Sequence, residues 1–222
     1  DDNDSLEPHF PWAPYGVSRR IAGMRRPGSG SFGAAMAKAV DDDVFGLLRL
    51  DDDRFPQPQV VDQFWLKYTA RQELDWSHPS AWPMPESELA QEGKPFGMQD
   101  IVRVTNTDQA ATLTASGYGI TLASMYGSTD MRVRDGILVA RRNDRWAHQM
   151  SVGGYIKHGD FICIDNQWSK RAHPQCPELG KYGSNGSFWV TRADFDWICS
   201  TGEVYAHASG GFEVRRLWGP LW

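Results

Sequence analysis

Residues 146–155 read WAHQMSVGGY, and residues 161–169 read FICIDNQWS. Each stretch contains an apolar run with a polar side chain at one end, since His148 precedes the first run and Asn166 follows the second. The polar segment between them, KHGD at 157–160, is typical of a β-hairpin turn. Hairpin strands are antiparallel, so the beginning of the first strand and the end of the second meet at the same end of the sheet. The pattern therefore predicts that His148 and Asn166 lie close together.

An imidazole beside a side-chain amide has a defined chemical use. The amide oxygen of Asn166 can accept a hydrogen bond from one ring N–H of His148 and so orient the ring for proton transfer. Trp168, two residues after Asn166, can shield that bond from water. A lone His before a strand is more often structural, but the ordered pairing with Asn and Trp favours a functional site.

Apolar patterns on both sides of the hairpin predict further short elements. The predictions for the second half are a helix capped by Thr107 or Asp108 and ending at Gly117, a strand over 119–125, a loop over 126–144, a strand over 187–191, a helical turn over 194–199 and a final strand over 203–208.

The first half reads as mainly helical. Four prolines among aromatic residues predict an extended arm over residues 1–27 that docks on the body of the chain or on a neighbour. Small residues predict a helix over 31–40, and apolar spacing predicts another over 59–76. The Pro- and Gly-rich segment 77–97 reads as a loop. Helices followed by strands indicate an α+β fold.

Three motifs in this order resemble the catalytic half of papain-like (C1-type) cysteine peptidases. They are the His strand ending in GGY at 153–155, NQWS at 166–169 and GSNGSFWV at 183–190. The last motif is similar to the divergent phage and bacterial branch of that family. The resemblance covers residues 100–208. It implies a papain-like two-lobe fold in which an arm over 1–27 precedes a papain-like domain over 28–222, with a helical lobe over 28–100 and a β-rich lobe over 101–222.

The same resemblance implies a cysteine nucleophile at the start of the central helix, where the helix dipole and a protonated His lower the thiol pKa. The matching stretch, PGSGSFGAA at 27–35, puts Ser31 at that position, with Ser29 and Gly30 as alternative registers. Arg25 stands where the family has a Gln that binds the oxyanion. A Ser at a helix start is also a good N-cap. We favour capping as the role of Ser31 or Ser29.

The first 162 residues contain no cysteine, and the three present are Cys163, Cys176 and Cys199. With Ser31, His148, Asn166 and Trp168 at the catalytic positions, the resemblance then implies a catalytically degenerate protein that serves as a structural or binding component of a phage virion. Its expected partners are other protein subunits, bound through the N-terminal arm, and no cofactor is expected.

An alternative is a cysteine peptidase or amidase in which Ser31 replaces the nucleophilic Cys, His148 is the base and Asn166 orients it. A hydrolase that uses Ser31 itself ranks last. A zinc site built on His173 and Cys176 is a further, less favoured interpretation, because only one compact ligand pair is visible.

Composition excludes several other classes of function. The formal net charge is −5 without a basic block, so nucleic acid is not an expected partner. No apolar run is long enough to span a membrane, and the acidic start is unlike a signal peptide, so we expect a soluble protein. Three cysteines are too few for a disulfide framework. The acidic runs at 1–4, 41–43 and 51–53 read as solvated loops.

Overall fold

The structure is a computed structural model that describes residues 9–49, 54–62, 65–126, 130–134, 137–144, 147–156, 161–165 and 187–209. The chain divides into two compact units, Asp1–Gln99 and Asp100–Trp222. Each unit has a hydrophobic core of its own. The two units are described in turn.

The first unit combines short helices with two small two-stranded sheets. Its described elements are β1 (His9–Phe10), α1 (Trp12–Ile21), α2 (Gly33–Ala39), β2 (Leu48–Arg49), β3 (Gln59–Asp62), β4 (Trp65–Lys67), α3 (Ala70–Trp76) and α4 (Glu86–Gly93), with single 3₁₀ turns at Pro79–Ala81 and Lys94–Phe96. Strand β1 pairs with β2, and β3 pairs with β4, both antiparallel.

Aromatic rings form the core of the first unit. The ring of Phe10 stacks on Phe55 with centroids 4.9 Å apart and meets the edge of Trp76 at 4.8 Å. Helix α1 approaches this cluster closely at Gly16, where a Cβ would lie 2.6 Å from the carbonyl oxygen of Trp76. Only a residue without a side chain allows that approach.

The extended conformation predicted for residues 1–27 is wrong over Trp12–Ile21, which form helix α1. The prediction failed because these prolines are compatible with the start of a helix. Pro11 is the N-cap and Pro14 lies in the first turn, where a backbone N–H has no intrahelical partner to lose. The apolar residues of this segment are instead buried in the first unit, Ala13 and Val17 completely so.

Two other predictions for the first unit need correction. The helix predicted over 59–76 is a hairpin, β3 and β4, followed by the short helix α3, in keeping with the strand preference of the β-branched Val60 and Val61. Helix α3 begins with a capping box between Thr69 and Gln72. The predicted loop over 77–97 contains helix α4, which buries Leu89.

The second unit is a large sheet with two helices. Its described elements are β5 (Met98–Arg103), α5 (Thr107–Ala115), β6 (Gly119–Ser124), β7 (Asp130–Arg134), β8 (Ile137–Arg141), β9 (His148–Ile156), β10 (Phe161–Asp165), β11 (Phe188–Thr191), α6 (Arg192–Thr201) and β12 (Glu203–Ser209). The eight described strands lie in the order β5-β12-β6-β9-β10-β11-β8-β7. The contact between β11 and β8 is parallel.

One face of this sheet carries the core of the second unit. Ile120, Met150 and Ile164 project from β6, β9 and β10 into a cluster that includes Phe195 and Ile198 of α6. Helix α5 is joined to α6 because Asp196 accepts hydrogen bonds from the backbone N–H and the hydroxyl of Thr107, both at 2.7 Å. Helices set beside a largely antiparallel sheet give the predicted α+β class.

The hairpin predicted from the opening stretches is confirmed. Strands β9 and β10 pair antiparallel, with Ile162 opposite Tyr155 and Asp165 opposite Ser151. The predicted loop over 126–144 is wrong, since it contains the hairpin of β7 and β8. Helix α5 is capped by Asn106 rather than by Thr107 or Asp108. Within the described residues, the structure contains no helix with the length and apolarity that crossing a bilayer requires.

Candidate functional site

The loop over residues 26–31, which leads into α2, is held by the buried guanidinium of Arg19. Nη1 donates to the carbonyl oxygen of Ser29 at 2.7 Å and also to that of Gly30, and Nη2 donates to the carbonyl oxygen of Arg26 at 3.0 Å. Arg19 is 5% exposed. Its Nε has no hydrogen-bond partner, and within the described residues it forms no ion pair. Neutral carbonyl groups therefore surround a cation that cannot lose its proton.

Ser31 belongs to the same polar cluster. Its hydroxyl lies 2.8 Å from that of Ser18, which donates its own hydrogen to the carbonyl oxygen of Tyr15 at 2.7 Å. A hydroxyl has one hydrogen to donate. In this arrangement Ser31 is therefore the donor to Ser18, and its proton is directed at a neighbouring hydroxyl rather than at a base.

The capping role predicted for Ser31 or Ser29 is wrong. Helix α2 begins at Gly33, its N-cap is Phe32, and no side chain caps it. Ser31 lies one residue before the N-cap, and its hydroxyl forms a hydrogen bond with Ser18 of α1. The sequence signal was a Ser near a helix start, but the helix begins two residues later than predicted.

A second polar side chain fixes the other end of the loop. The backbone N–H of Gly28 donates to the hydroxyl of Ser77 at 2.8 Å, and that hydroxyl donates to the carbonyl oxygen of Leu74. Ser77 is 1% exposed. The loop is therefore bound to α1 and to the end of α3 by buried polar groups, which we call the Arg19 cradle (Ser18, Arg19 and Ser77).

His148 is the first residue of β9, as predicted. It lies opposite Ser124 of β6 and is half-buried. Asn166 and Trp168, predicted to orient and shield it, lie outside the described residues, so the predicted contact stays a prediction. The described part of β10 ends at Asp165, the residue before Asn166.

A polar row that was not predicted from the sequence crosses the sheet on the face opposite the core. Tyr205, Thr121, Ser151 and Asp165 are consecutive register partners on β12, β6, β9 and β10. Register partners share a face of the sheet. Alternation of polar and apolar residues in TLAS, HQMSV and EVYAHA was the signal available.

Asp165 anchors one end of the polar row. Its Oδ1 accepts a hydrogen bond from the hydroxyl of Ser187 at 2.5 Å and lies 3.9 Å from the thiol of Cys163. A Cβ at Gly153 would overlap the carboxylate of Asp165. A side chain at position 153 would therefore have to displace the carboxylate of Asp165.

His207 lies next to the other end of the polar row. One ring nitrogen, Nε2, lies 2.8 Å from the hydroxyl of Thr121, whereas Nδ1 is buried without a partner. Burial lowers the pKa of His207 to about 4, because desolvation disfavours the imidazolium. His207 is therefore neutral at neutral pH.

The described cysteines are core residues. Cys163 and Cys199 are each 3% exposed. Burial, aided by the nearby Asp196, raises the pKa of Cys199 to about 12. Neither environment favours a thiolate. Cys176 and His173, the basis of the zinc alternative, lie outside the described residues.

Among the described residues, one group of three carboxylates is close enough together to hold a metal ion. Oxygen atoms of Asp41, Asp42 and Asp43 lie within 4.8 Å of one another. The backbone N–H of Asp43 donates to the Asp41 side chain at 2.9 Å, so a local turn accounts for the arrangement.

Comparison with known proteins identifies the fold. Among solved structures the chain is similar to xylellain, a cysteine protease from Xylella fastidiosa, with a TM-score of 0.52 and 15% sequence identity over 89% of this chain and 69% of that chain. No protein-family profile matches the sequence, and no curated protein matches it. The chain therefore has the α+β fold of papain-like cysteine proteases, as the sequence predicted.

Proposed function

We propose that this chain is a papain-like domain that has lost peptidase chemistry and serves as a binding component of a protein assembly, with a phage particle as the setting. The observation that carries the proposal is the hydrogen bond between Ser31 and Ser18 at 2.8 Å. A hydroxyl nucleophile depends on a base that removes its proton in the transition state. The proton of Ser31 is instead donated to Ser18, whose own hydrogen is already used.

The state of the cysteines supports the same proposal. A peptidase of this fold needs a thiolate, and thiolates form where a helix terminus or a cation stabilises them. Cys163 and Cys199 are buried, and the pKa of Cys199 lies far above neutrality. Within the described residues, neither thiol can replace the missing nucleophile.

The proposed partner surface includes the part of residues 1–27 that is exposed. Helix α1 buries most of its side chains, and the exposed side chains over residues 9–27 are His9, Pro11, Arg20, Arg25 and Arg26. Arg20 is paired with Glu86, but Arg25 and Arg26 keep this surface basic, so an acidic protein surface is the complementary partner.

A thiol introduced at position 31 tests the loss of chemistry. In Ser31→Cys, alkylation by iodoacetamide near neutral pH should be no faster than in Ser29→Cys, an exposed position in the same loop. A site that still activates its nucleophile would hold the thiol as thiolate, which raises the labelling rate about 30-fold over an ordinary thiol. Enhanced labelling together with cleavage of peptide substrates would overturn the proposal.

The second candidate is a cysteine peptidase or amidase in which Ser31 stands in place of Cys, His148 is the base and Asn166 orients it. Similarity of the fold to a cysteine protease and the half-buried His148 at a strand start favour it. Under this alternative, Ser31→Cys gains peptidase activity, and Ser31→Cys/His148→Ala does not.

A further inference from the structure

Three glycines leave a gap in the side chains beside the polar row. Gly119 of β6 lies opposite His207, and Gly154 of β9 lies opposite Cys163. Gly153, the extra residue of a bulge in β9, completes the gap between them. We call this gap the glycine trench (Gly119, Gly153 and Gly154). It crosses the sheet from β12 to β10, a distance of roughly 14 Å at about 4.8 Å per strand.

The fold does not require two of these glycines. Nothing lies within 4 Å of the Cβ position of Gly119 or of Gly154, and neither has the positive φ that favours glycine. Glycine weakens a strand because it offers no side chain to pack, whereas β-branched residues stabilise one. Glycines that packing does not explain are typical of a strand that a ligand approaches closely.

The polar row lies two residues further along each strand and forms one wall of the trench. Among the described residues, Asp165 accepts hydrogen bonds only through Oδ1, and its Oδ2 lies over Gly153. The hydroxyl groups of Ser151 and Tyr205 form no hydrogen bond with the described part of the chain. At the β12 end of the trench, Nδ1 of His207 is buried without a partner. The wall therefore has donors and acceptors that the protein itself does not use.

The chemistry of this wall favours a neutral ligand that is rich in hydroxyl groups. Hydroxyl groups both donate and accept hydrogen bonds, whereas a carboxylate oxygen only accepts. The described residues of the polar row and the trench include one carboxylate and no cation, so they disfavour an anion. A cation would satisfy the carboxylate but would leave the hydroxyl groups of the row unused. A sugar ring carries hydroxyl groups around its rim and has a flat C–H face, which suits a polar wall above a floor of glycine backbone.

We propose that the glycine trench binds a carbohydrate. The sugar lies on the backbone of Gly119 and Gly154, and its hydroxyl groups bond to Ser151, Asp165 and Tyr205. The site belongs wholly to the second unit. It goes beyond the proposed function, since it adds a glycan to the protein partners, and it requires no statement about catalysis.

Titration of the full chain with trisaccharides, followed by NMR, tests the site. Cellotriose, maltotriose and N,N′,N″-triacetylchitotriose differ in linkage and substituents, and at least one should shift the ¹⁵N–¹H signals of Gly119, Gly153 and Gly154 to saturation. Methylguanidinium is the cationic probe. Failure of all the sugars to shift these signals, or saturable shifts with methylguanidinium alone, would overturn the proposal.

Variants that fill the trench separate this site from binding elsewhere. Gly119→Val and Gly154→Val add a side chain where the fold has open space, so both should remain folded. Each should weaken binding of the sugar by roughly tenfold or more, because the ring loses its floor. Gln99→Val places the same residue at an exposed position of β5 and should leave affinity within roughly twofold. Unchanged affinity in both trench variants would contradict the assignment.

Asp165→Asn tests the polar wall. The variant keeps an acceptor for Ser187 but removes the charge, so it should weaken sugar binding by roughly tenfold. Undiminished affinity would contradict the role of Asp165 in the site.

The outcome is independent of the test of lost chemistry. If Ser31→Cys is strongly labelled, the proposed function fails while the titration still reports on the trench, because position 31 belongs to the first unit. If the titration is negative and labelling is slow, the carbohydrate site fails and the loss of chemistry stands.

Discussion

Arg19 in the first unit is a buried basic side chain and His207 in the second is a partly buried one, and the two are accommodated in opposite ways. Arg19 keeps its charge and gathers the carbonyl oxygens of three residues around its guanidinium. His207 gives up its charge, since burial lowers its pKa to about 4, and one of its ring nitrogens is left without a partner.

The difference follows from the chemistry of the two side chains. Guanidinium cannot be deprotonated in a protein, so a buried Arg must organise acceptors around itself. Imidazole can become neutral at modest cost, so a buried His needs only one good contact. The cradle of Arg19 therefore orders a loop, whereas His207 makes stability depend on pH.

Removing the guanidinium should have the largest effect. Arg19→Met leaves the carbonyl groups of Arg26, Ser29 and Gly30 without their donor and should lower the free energy of unfolding by about 3 kcal/mol. Urea denaturation measures the change. The matched control is Arg20→Met, which removes an exposed ion pair with Glu86 and should cost less than about 1 kcal/mol. Equal losses in the two variants would mean that the Arg19 cradle contributes little.

Lowering the pH should reduce stability because His207 is neutral in the folded protein. Below about pH 6.5 the unfolded chain takes up a proton at His207, while the folded chain does not until pH approaches about 4. Stability is therefore present above this window and is lost as pH falls through it, by about 2 kcal/mol between roughly pH 7 and pH 5. Denaturation at a series of pH values should show a shallower slope for His207→Gln than for the wild type. The same slope in both proteins would contradict the assignment to His207.

A smaller effect is expected at the far end of the polar row. Gly153→Ala forces the carboxylate of Asp165 to move and should cost about 1 to 2 kcal/mol. Gly154→Ala adds the same methyl group where nothing lies within 4 Å and should be nearly neutral. Combining Gly153→Ala with Asp165→Ala removes the overlap, so the double variant should lose less than the sum of the single variants. Additive losses, measured by thermal or urea unfolding, would argue against this overlap.

The smallest effect should come from Ser18→Ala, at about 1 kcal/mol. The variant removes the acceptor of Ser31 and the donor to Tyr15. Ser200→Ala is its control, because Ser200 makes a similar bond to the carbonyl three residues earlier, at 2.8 Å, on an exposed surface of α6. If Ser18→Ala lowers the free energy of unfolding no more than Ser200→Ala does, the contact with Ser31 contributes no measurable stability.

Local patterning was enough to predict the central strands of the second unit. The runs that became β9, β10 and β12 alternate or are apolar throughout, and the polar segment between β9 and β10 marks the turn. The α+β class and the position of His148 at a strand start followed from that pattern alone. Asn166 and Trp168 stay predictions.

The failures have a common cause, which is that tertiary contacts decided the local structure. Prolines predicted an extended arm, but Pro14 is compatible with a first helical turn and α1 gains stability from burial of Val17. The cradle of Arg19 could not be predicted, because its acceptors are backbone carbonyl groups, which no residue type identifies. The hairpin of β7 and β8 is a different failure, because DMRVR at 130–134 alternates charged and apolar residues and ILVA at 137–140 is apolar, a strand signal that the prediction of a loop overlooked.

The position of β12 in the sheet has a consequence for synthesis on the ribosome. This strand is the last described element of the chain, yet it lies between β5 and β6, about a hundred residues earlier in the sequence. Until residue 209 has emerged from the exit tunnel, β5 and β6 keep edges that their final neighbour has not covered. Exposed edges of this kind invite pairing with other nascent chains. Slow translation, or translation of many chains close together, should therefore cause more aggregation through the second unit than through the first. The described elements of the first unit are complete by residue 96.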